Sequence, residues 1–152
     1  MLYIFSSPAP SISLGEMINA FCHSYEGFSF VALDSMPMLK KNDHILFAWE
    51  SNICGVDTSI LELIHKAYTI SPKYFYDAKG AIICFSKTIF YTKYFSSHIA
   101  FLSNNMGLEY IGKPIVEAIE SYNNFKSRQK INNISLKELC LEECMLLGKR
   151  LR

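Results

Sequence analysis

Short apolar runs with little polar alternation recur along this chain and restrict what it can fold into. The first, Leu2-Tyr3-Ile4-Phe5, is typical of a strand that is covered on both faces, and such strands occur mainly in parallel sheets. Four further segments are predicted as strands by their aromatic and aliphatic content: residues 28–33, 45–49, 81–85 and, more weakly, 108–112.

Amphipathic stretches between these strands predict helices. Ser13-Leu14-Gly15-Glu16 has the form of a capping box, so the first helix is expected to begin near Ser13. Ser59-Ile60-Leu61-Glu62 and Ser135-Leu136-Lys137-Glu138 have the same form, and a helical stripe extends from Phe95 to Met106. The alternation predicts an α/β fold with three layers, in which five parallel strands in the order 2-1-3-4-5 lie between helices.

The connection between the second and third strands is unusually short. Residues 35–42 separate them, whereas a parallel crossover normally needs a dozen or more residues. We therefore expect the second crossover helix to be shortened or missing. The length of 152 residues and the hydrophobic share of 50% suit one domain, residues 1–152.

Charge and cysteine content argue against several classes of protein. The 15 Lys and Arg residues nearly balance 14 Asp and Glu residues, so no broad field points to nucleic acid or an anionic membrane. The first apolar run has no basic leader and is too short for a secretory signal or a membrane span, which predicts a cytoplasmic protein. Five cysteines occupy apolar positions without metal-ligand spacing, so we expect buried reduced thiols and no metal.

A loop of hydroxyl side chains follows the first strand. Ser6, Ser7, Ser11 and Ser13 are candidate phosphate donors, because the N-terminus of the next helix offers free N–H groups and a favourable dipole. Ordinary turn and capping roles are the alternative for each serine. Ligands of such sheets lie at the carboxyl ends of strands one, three and four, so the candidate site comprises residues 6–13, 50–55 and 86–91.

Two segments resemble a known family. Residues 77–83 and 105–114 are similar to the regions around strands four and five of the flavodoxin-like NAD(P)H-dependent FMN reductases, and the serine loop fits as well. The resemblance implies a flavodoxin-like fold and a redox protein with FMN as cofactor and NAD(P)H as electron donor. In such a protein the cofactor carries the chemistry, so no catalytic acid or base is expected. Besides the four serines, the residues assigned to the flavin ring are Ser51, Asn52, Thr88 and Tyr91.

The candidate loops depart from the family pattern. Ser6-Ser7-Pro8-Ala9 stands where the family typically has Gly-Ser-Pro-Arg, and residues 86–91 contain no glycine. Residues 50–55 provide neither the proline nor the aromatic residue expected beside the flavin ring. Glu50 also places a carboxylate near the expected phosphate, so we expect weaker FMN affinity than in a full family member.

Two other functions stay open. A degenerate relative that has lost flavin and acts as a binding or assembly module would explain the missing loop glycines. The aromatic segments 73–76 and 90–95 would then suit an interface with a partner or with a second copy of the chain. A phosphoacceptor receiver is the least supported, since Ser6-Ser7 stand where such receivers hold an acidic pair for Mg²⁺.

Overall fold

Parallel strands alternate with helices along the chain. The computed structural model describes residues 1–51, 58–86, 89–118 and 136–152, with the backbone alone described for residues 89–92, 116–118 and 136. The strands are β1 (Leu2–Ser6), β2 (Phe28–Phe30), β3 (His44–Ser51), β4 (Lys79–Ser86), β5 (Glu109–Tyr110) and β6 (Ile115–Ala118). The described helices are α1 (Ile12–Cys22), α2 (Thr58–Ile70), α3 (Ile89–Asn105) and α4 (Leu136–Leu151).

The sheet is parallel throughout and has the order β2-β1-β3-β4-β5. β6 also pairs with β4, further along the edge that β5 occupies, so the two short strands together fill the fifth position. The predicted order 2-1-3-4-5 and the flavodoxin-like α/β architecture are confirmed. The longest pairing joins β3 to β4 over eight positions, from His44 opposite Lys79 to Ser51 opposite Ser86.

Both faces of the central strands are buried, which explains their apolar runs. Successive side chains of a strand point to opposite faces. Leu46 and Ala48 of β3 belong to one core with α1 and α4, whereas Phe47 and Trp49 belong to a second core with α2 and α3. The sheet therefore needs helices on both sides, and three layers follow.

The prediction that the second crossover helix is shortened or missing is confirmed. Residues 31–43 are all described and contain no helix. Met36 and Leu39 of this irregular connection pack against the second core instead, and the Tyr74 hydroxyl donates a hydrogen bond to the Pro37 carbonyl.

The aromatic segment 73–76 is divided between core and surface. Phe75 is fully buried, and its ring lies 5.6 Å from Phe5 and 5.7 Å from Phe47. Tyr76 is exposed. Phe75 therefore anchors the second core, with Tyr74 packed against it, while Lys73 and Tyr76 are left exposed for an interface.

The second and third predicted capping boxes begin at Ser59 and Ser135, close in sequence to the starts of α2 and α4. α2 begins at Thr58, so Ser59 lies inside the first turn and is not the N-cap that the sequence predicted. Residue 57 before α2 and Ser135 before α4 lie outside the described residues. Among the helices that the structure describes, none is long and apolar enough to cross a membrane.

Helices α1 and α4 approach closely at a glycine. A Cβ atom on Gly148 would collide with the carbonyl group of Phe21, because the two helix backbones meet there. A methyl group at this position must separate the helices or distort one of them.

We expect Gly148→Ala to lower the free energy of unfolding by about 1–3 kcal/mol, the usual cost of overpacking. Gly15→Ala is the matched control, since no atom lies within 4 Å of a Cβ at that position of α1. It should raise stability by about 0.5–1 kcal/mol through helix propensity. Urea denaturation measures both, and an equal effect of the two changes would contradict the close approach.

Four of the five cysteines are described, and all four are buried free thiols: Cys22, Cys84, Cys140 and Cys144. Burial raises the pKa of both the Cys22 and the Cys84 thiol to about 12. Since the thiolate is the reactive form, these groups are poor nucleophiles in the folded protein.

Thiol titration without reductant should therefore give five reactive groups in denaturant and far slower reaction in the folded state. The native and unfolded samples are compared at the same pH, so the difference in rate reports burial. A count of three or fewer in denaturant would show that disulfides form.

Candidate functional site at the carboxyl edge of the sheet

The three central strands each end on a buried serine at the same edge of the sheet. Ser6 ends β1, Ser51 ends β3 opposite Ser86, and Ser86 ends β4. Carboxyl ends of parallel strands are where doubly wound folds bind ligands. β3 runs on to Ser51 and so takes in the first two residues of the predicted loop 50–55, while α3 begins at Ile89 and so takes in the last three residues of the predicted loop 86–91.

Several polar groups buried at this edge have no hydrogen-bond partner in the described part of the protein. They are the hydroxyls of Ser6 and Ser7 and the indole N–H of Trp49. The Ser51 hydroxyl also has no well-formed hydrogen bond, and its polar neighbour is the Cys84 thiol, a weak partner. A buried group without a partner costs about 1–3 kcal/mol, so such a concentration at one edge indicates a site for something polar.

A cavity of about 570 Å³ lies beside these serines. It is bounded by the loop after β1, by the start of the connection after β2 and by the first turns of α2. Ser6, Ser7 and Ser59 contribute hydroxyl-bearing residues to its wall. The remaining lining residues are uncharged and mostly apolar: Pro8, Pro10, Phe30, Val31, Ala32, Leu33 and Leu63. The volume falls within the range of small-ligand sites, about 300–1,000 Å³.

Ser11 is the N-cap of α1. Its hydroxyl accepts a hydrogen bond from Leu14 N at 3.3 Å, and its carbonyl accepts one from Gly15 N at 2.9 Å. The predicted box that starts at Ser13 is therefore wrong. Glu16, which that box requires as the reciprocal partner, instead binds Lys137 of α4 at 2.7 Å. Ser13 lies exposed in the first turn.

Glu50 reaches the N-terminus of α1. Its Oε2 accepts a hydrogen bond from Ser11 N at 3.2 Å, although the two residues are 39 positions apart. A carboxylate at this end of a helix is stabilised by the free N–H groups and the helix dipole. The protein thus places one of its own anions where the sequence predicted a ligand phosphate.

The predicted site residues divide into three groups. Ser6 and Ser7 line the cavity. Ser11 caps α1, Ser13 is exposed in the first turn of that helix, and Ser51 is buried at the end of β3 without lining the cavity. Asn52 and Thr88 lie outside the described residues, as does the side chain of Tyr91, whose backbone belongs to the first turn of α3.

Sequence reasoning missed the wall of the cavity. Phe30 and Val31 belong to a segment that the sequence predicts as a strand, and Leu63 follows the capping box at Ser59; neither pattern links these residues to the serine loop. No pattern within one segment brings them together, because the cavity forms only when the loop, the connection and α2 meet.

We expect Ser11→Ala to destabilise the protein by about 1 kcal/mol, because Leu14 N loses its capping acceptor. Ser13→Ala is the matched control on the same turn and should change stability by less than about 0.5 kcal/mol. Thermal or urea unfolding measures both, and a larger loss for Ser13→Ala would restore the cap to Ser13.

Comparisons with known proteins support the fold. Two solved structures share it: oxidised flavodoxin 1 from Bacillus cereus and an NAD(P)H:quinone oxidoreductase from Methanothermobacter marburgensis. Their TM-scores are 0.61 and 0.60, with 12% and 14% sequence identity, and each alignment covers 99% of this chain and 95% of the other. No family model and no curated protein matches the sequence. The fold is flavodoxin-like, and at this identity the likeness extends no further.

Proposed function

We propose that the protein binds a flavin at the carboxyl edge of its sheet and acts as an oxidoreductase. The observation that carries this proposal is a pair of buried hydroxyls, those of Ser6 and Ser7, which have no hydrogen-bond partner among the described residues and belong to residues that line the cavity. The flavodoxin-like fold supports it, and both structural neighbours are redox proteins by name.

The residues present fit the ring and polar edge of a flavin. Ser6 and Ser7 supply hydroxyls that donate or accept hydrogen bonds, and the proline, leucine and phenylalanine residues of the wall supply apolar contact. A bound flavin supplies electron transfer, while the chain binds, orients and excludes water. NAD(P)H is the electron donor in this proposal. The proposal also keeps Ser51, Asn52, Thr88 and Tyr91 as the residues assigned to the flavin ring by the family resemblance, the side chains of the last three lying outside the described part of the chain.

Flavin binding can be measured by the quenching of flavin fluorescence. The double variant Ser6→Ala/Ser7→Ala should weaken binding about tenfold, because each lost hydrogen bond costs about 0.5–1.5 kcal/mol. The same variant should be no less stable than the parent, because the hydroxyls it removes have no hydrogen-bond partner in the part of the chain that the structure describes.

The control is Ser97→Ala on the exposed face of α3, whose hydroxyl bonds to the Lys93 carbonyl away from the cavity. It should leave flavin affinity unchanged. If the double variant bound flavin as tightly as the parent, Ser6 and Ser7 would not belong to the flavin site. No quenching at millimolar flavin would refute flavin binding and favour the alternative function.

The alternative is a flavodoxin-like module that binds another protein. Tyr94 and Phe101 favour it, since they lie seven residues apart on α3 and are 67% and 64% exposed. Residues at this spacing share one helix face, and exposed aromatic side chains anchor protein contacts. A partner protein would bury this face. If the double variant Tyr94→Ala/Phe101→Ala lost the binding of that partner, the face would be identified as the interface.

A further inference from the structure

We propose that the site selects an uncharged ligand, namely the unphosphorylated form of a flavin, because Glu50 serves as the resident anion of helix α1. This inference rests on the proposed function and specifies its ligand. It arises from three separate features: the Glu50 contact, the chemistry of the cavity wall, and the position of the two free hydroxyls.

The first feature is the occupation of the helix N-terminus. The Glu50 carboxylate already accepts the Ser11 N–H at 3.2 Å, and the Ser11 hydroxyl already accepts the Leu14 N–H. A ligand phosphate bound there would have to displace Glu50 or lie beside it. Two anions a few ångströms apart repel each other strongly in a partly buried site, so the phosphate is rejected.

The second feature is the wall of the cavity. None of its lining residues within the described chain carries a charge, so no cation offsets a phosphate there. Residues 6–11 of the loop are also free of lysine and arginine. A phosphate that entered the cavity would lose its hydration without gaining a charged partner, and such a transfer is costly.

The third feature explains what the site does accept. Ser6 ends β1, Ser7 follows it, and both residues line the cavity; their hydroxyls are buried and have no hydrogen-bond partner among the described residues. Hydroxyls of this kind pair equally well with the carbonyl, amide or hydroxyl groups of a neutral molecule. The apolar wall suits a flat ring system, so riboflavin satisfies the whole site while FMN meets the Glu50 carboxylate.

Riboflavin and FMN differ at one phosphate ester, so the ratio of their affinities isolates its recognition. We expect the wild-type protein to bind riboflavin at least about tenfold more tightly than FMN. Glu50→Gln keeps a side-chain oxygen for the Ser11 N–H and removes the charge. It should reduce that ratio about tenfold, chiefly by strengthening FMN binding.

Glu109→Gln is the control for the change in net charge. Glu109 is exposed on β5, paired with the first residue of β4 at the opposite edge of the sheet. This variant should leave the ratio as it is in the wild type. A wild type that prefers FMN, or a ratio that Glu50→Gln leaves unchanged, would overturn the inference and leave flavin binding intact.

A second measurement does not depend on flavin. Inorganic phosphate is titrated into the labelled protein while the amide resonances of Ser11, Ile12 and Ser13 are followed by NMR. Phosphate should shift these resonances in Glu50→Gln at concentrations about tenfold lower than in the wild type or Glu109→Gln. Equal titration of wild type and Glu50→Gln, or no titration of either, would refute the role of Glu50. A selective response of Glu50→Gln in a protein that binds no flavin would uphold that role and refute only the flavin.

Discussion

The structure depends on the pairing of β3 and β4, which is parallel over eight positions and buried on both faces. Two-sided burial demands helices above and below the sheet, and it leaves no room for polar side chains within the central strands. Polar side chains therefore lie at the ends of these strands. Examples are Ser6, Ser51 and Ser86, since each is the last residue of a central strand.

The contact between Glu50 and Ser11 serves folding, and under the proposed function it also bears on ligand recognition. It joins the end of β3 to the beginning of α1, so a residue of the sheet completes the cap of a helix. The same hydrogen bond occupies a donor that a phosphate would otherwise use. At this helix end, the hydrogen bond that stabilises the protein without ligand therefore also lowers its affinity for an anion. Binding of an uncharged ligand in the neighbouring cavity does not compete with that hydrogen bond.

Much of the fold could be predicted because its signals are local. The apolar runs gave the strands, and the short spacing after β2 indicated the missing helix. The cap of α1 could not be assigned correctly, because Glu16 is engaged by Lys137, a residue 121 positions away. The candidate site could be predicted only in part, because it too depends on contacts between residues that are distant in the sequence. Ser6 and Ser7 follow a recognisable strand, whereas the opposite wall of the cavity comes from two other segments.

The short edge strand β2 gives the cavity a wall of low local stability. β2 pairs with β1 at three positions, and Val31 adds one hydrogen bond to the Ile4 carbonyl before the connection begins. An edge with so few pairs frays at a small fraction of the global unfolding free energy, and its amide protons exchange through that opening. A ligand bound against Phe30 and Val31 would slow this exchange, so occupancy of the cavity and closure of the sheet edge are thermodynamically linked.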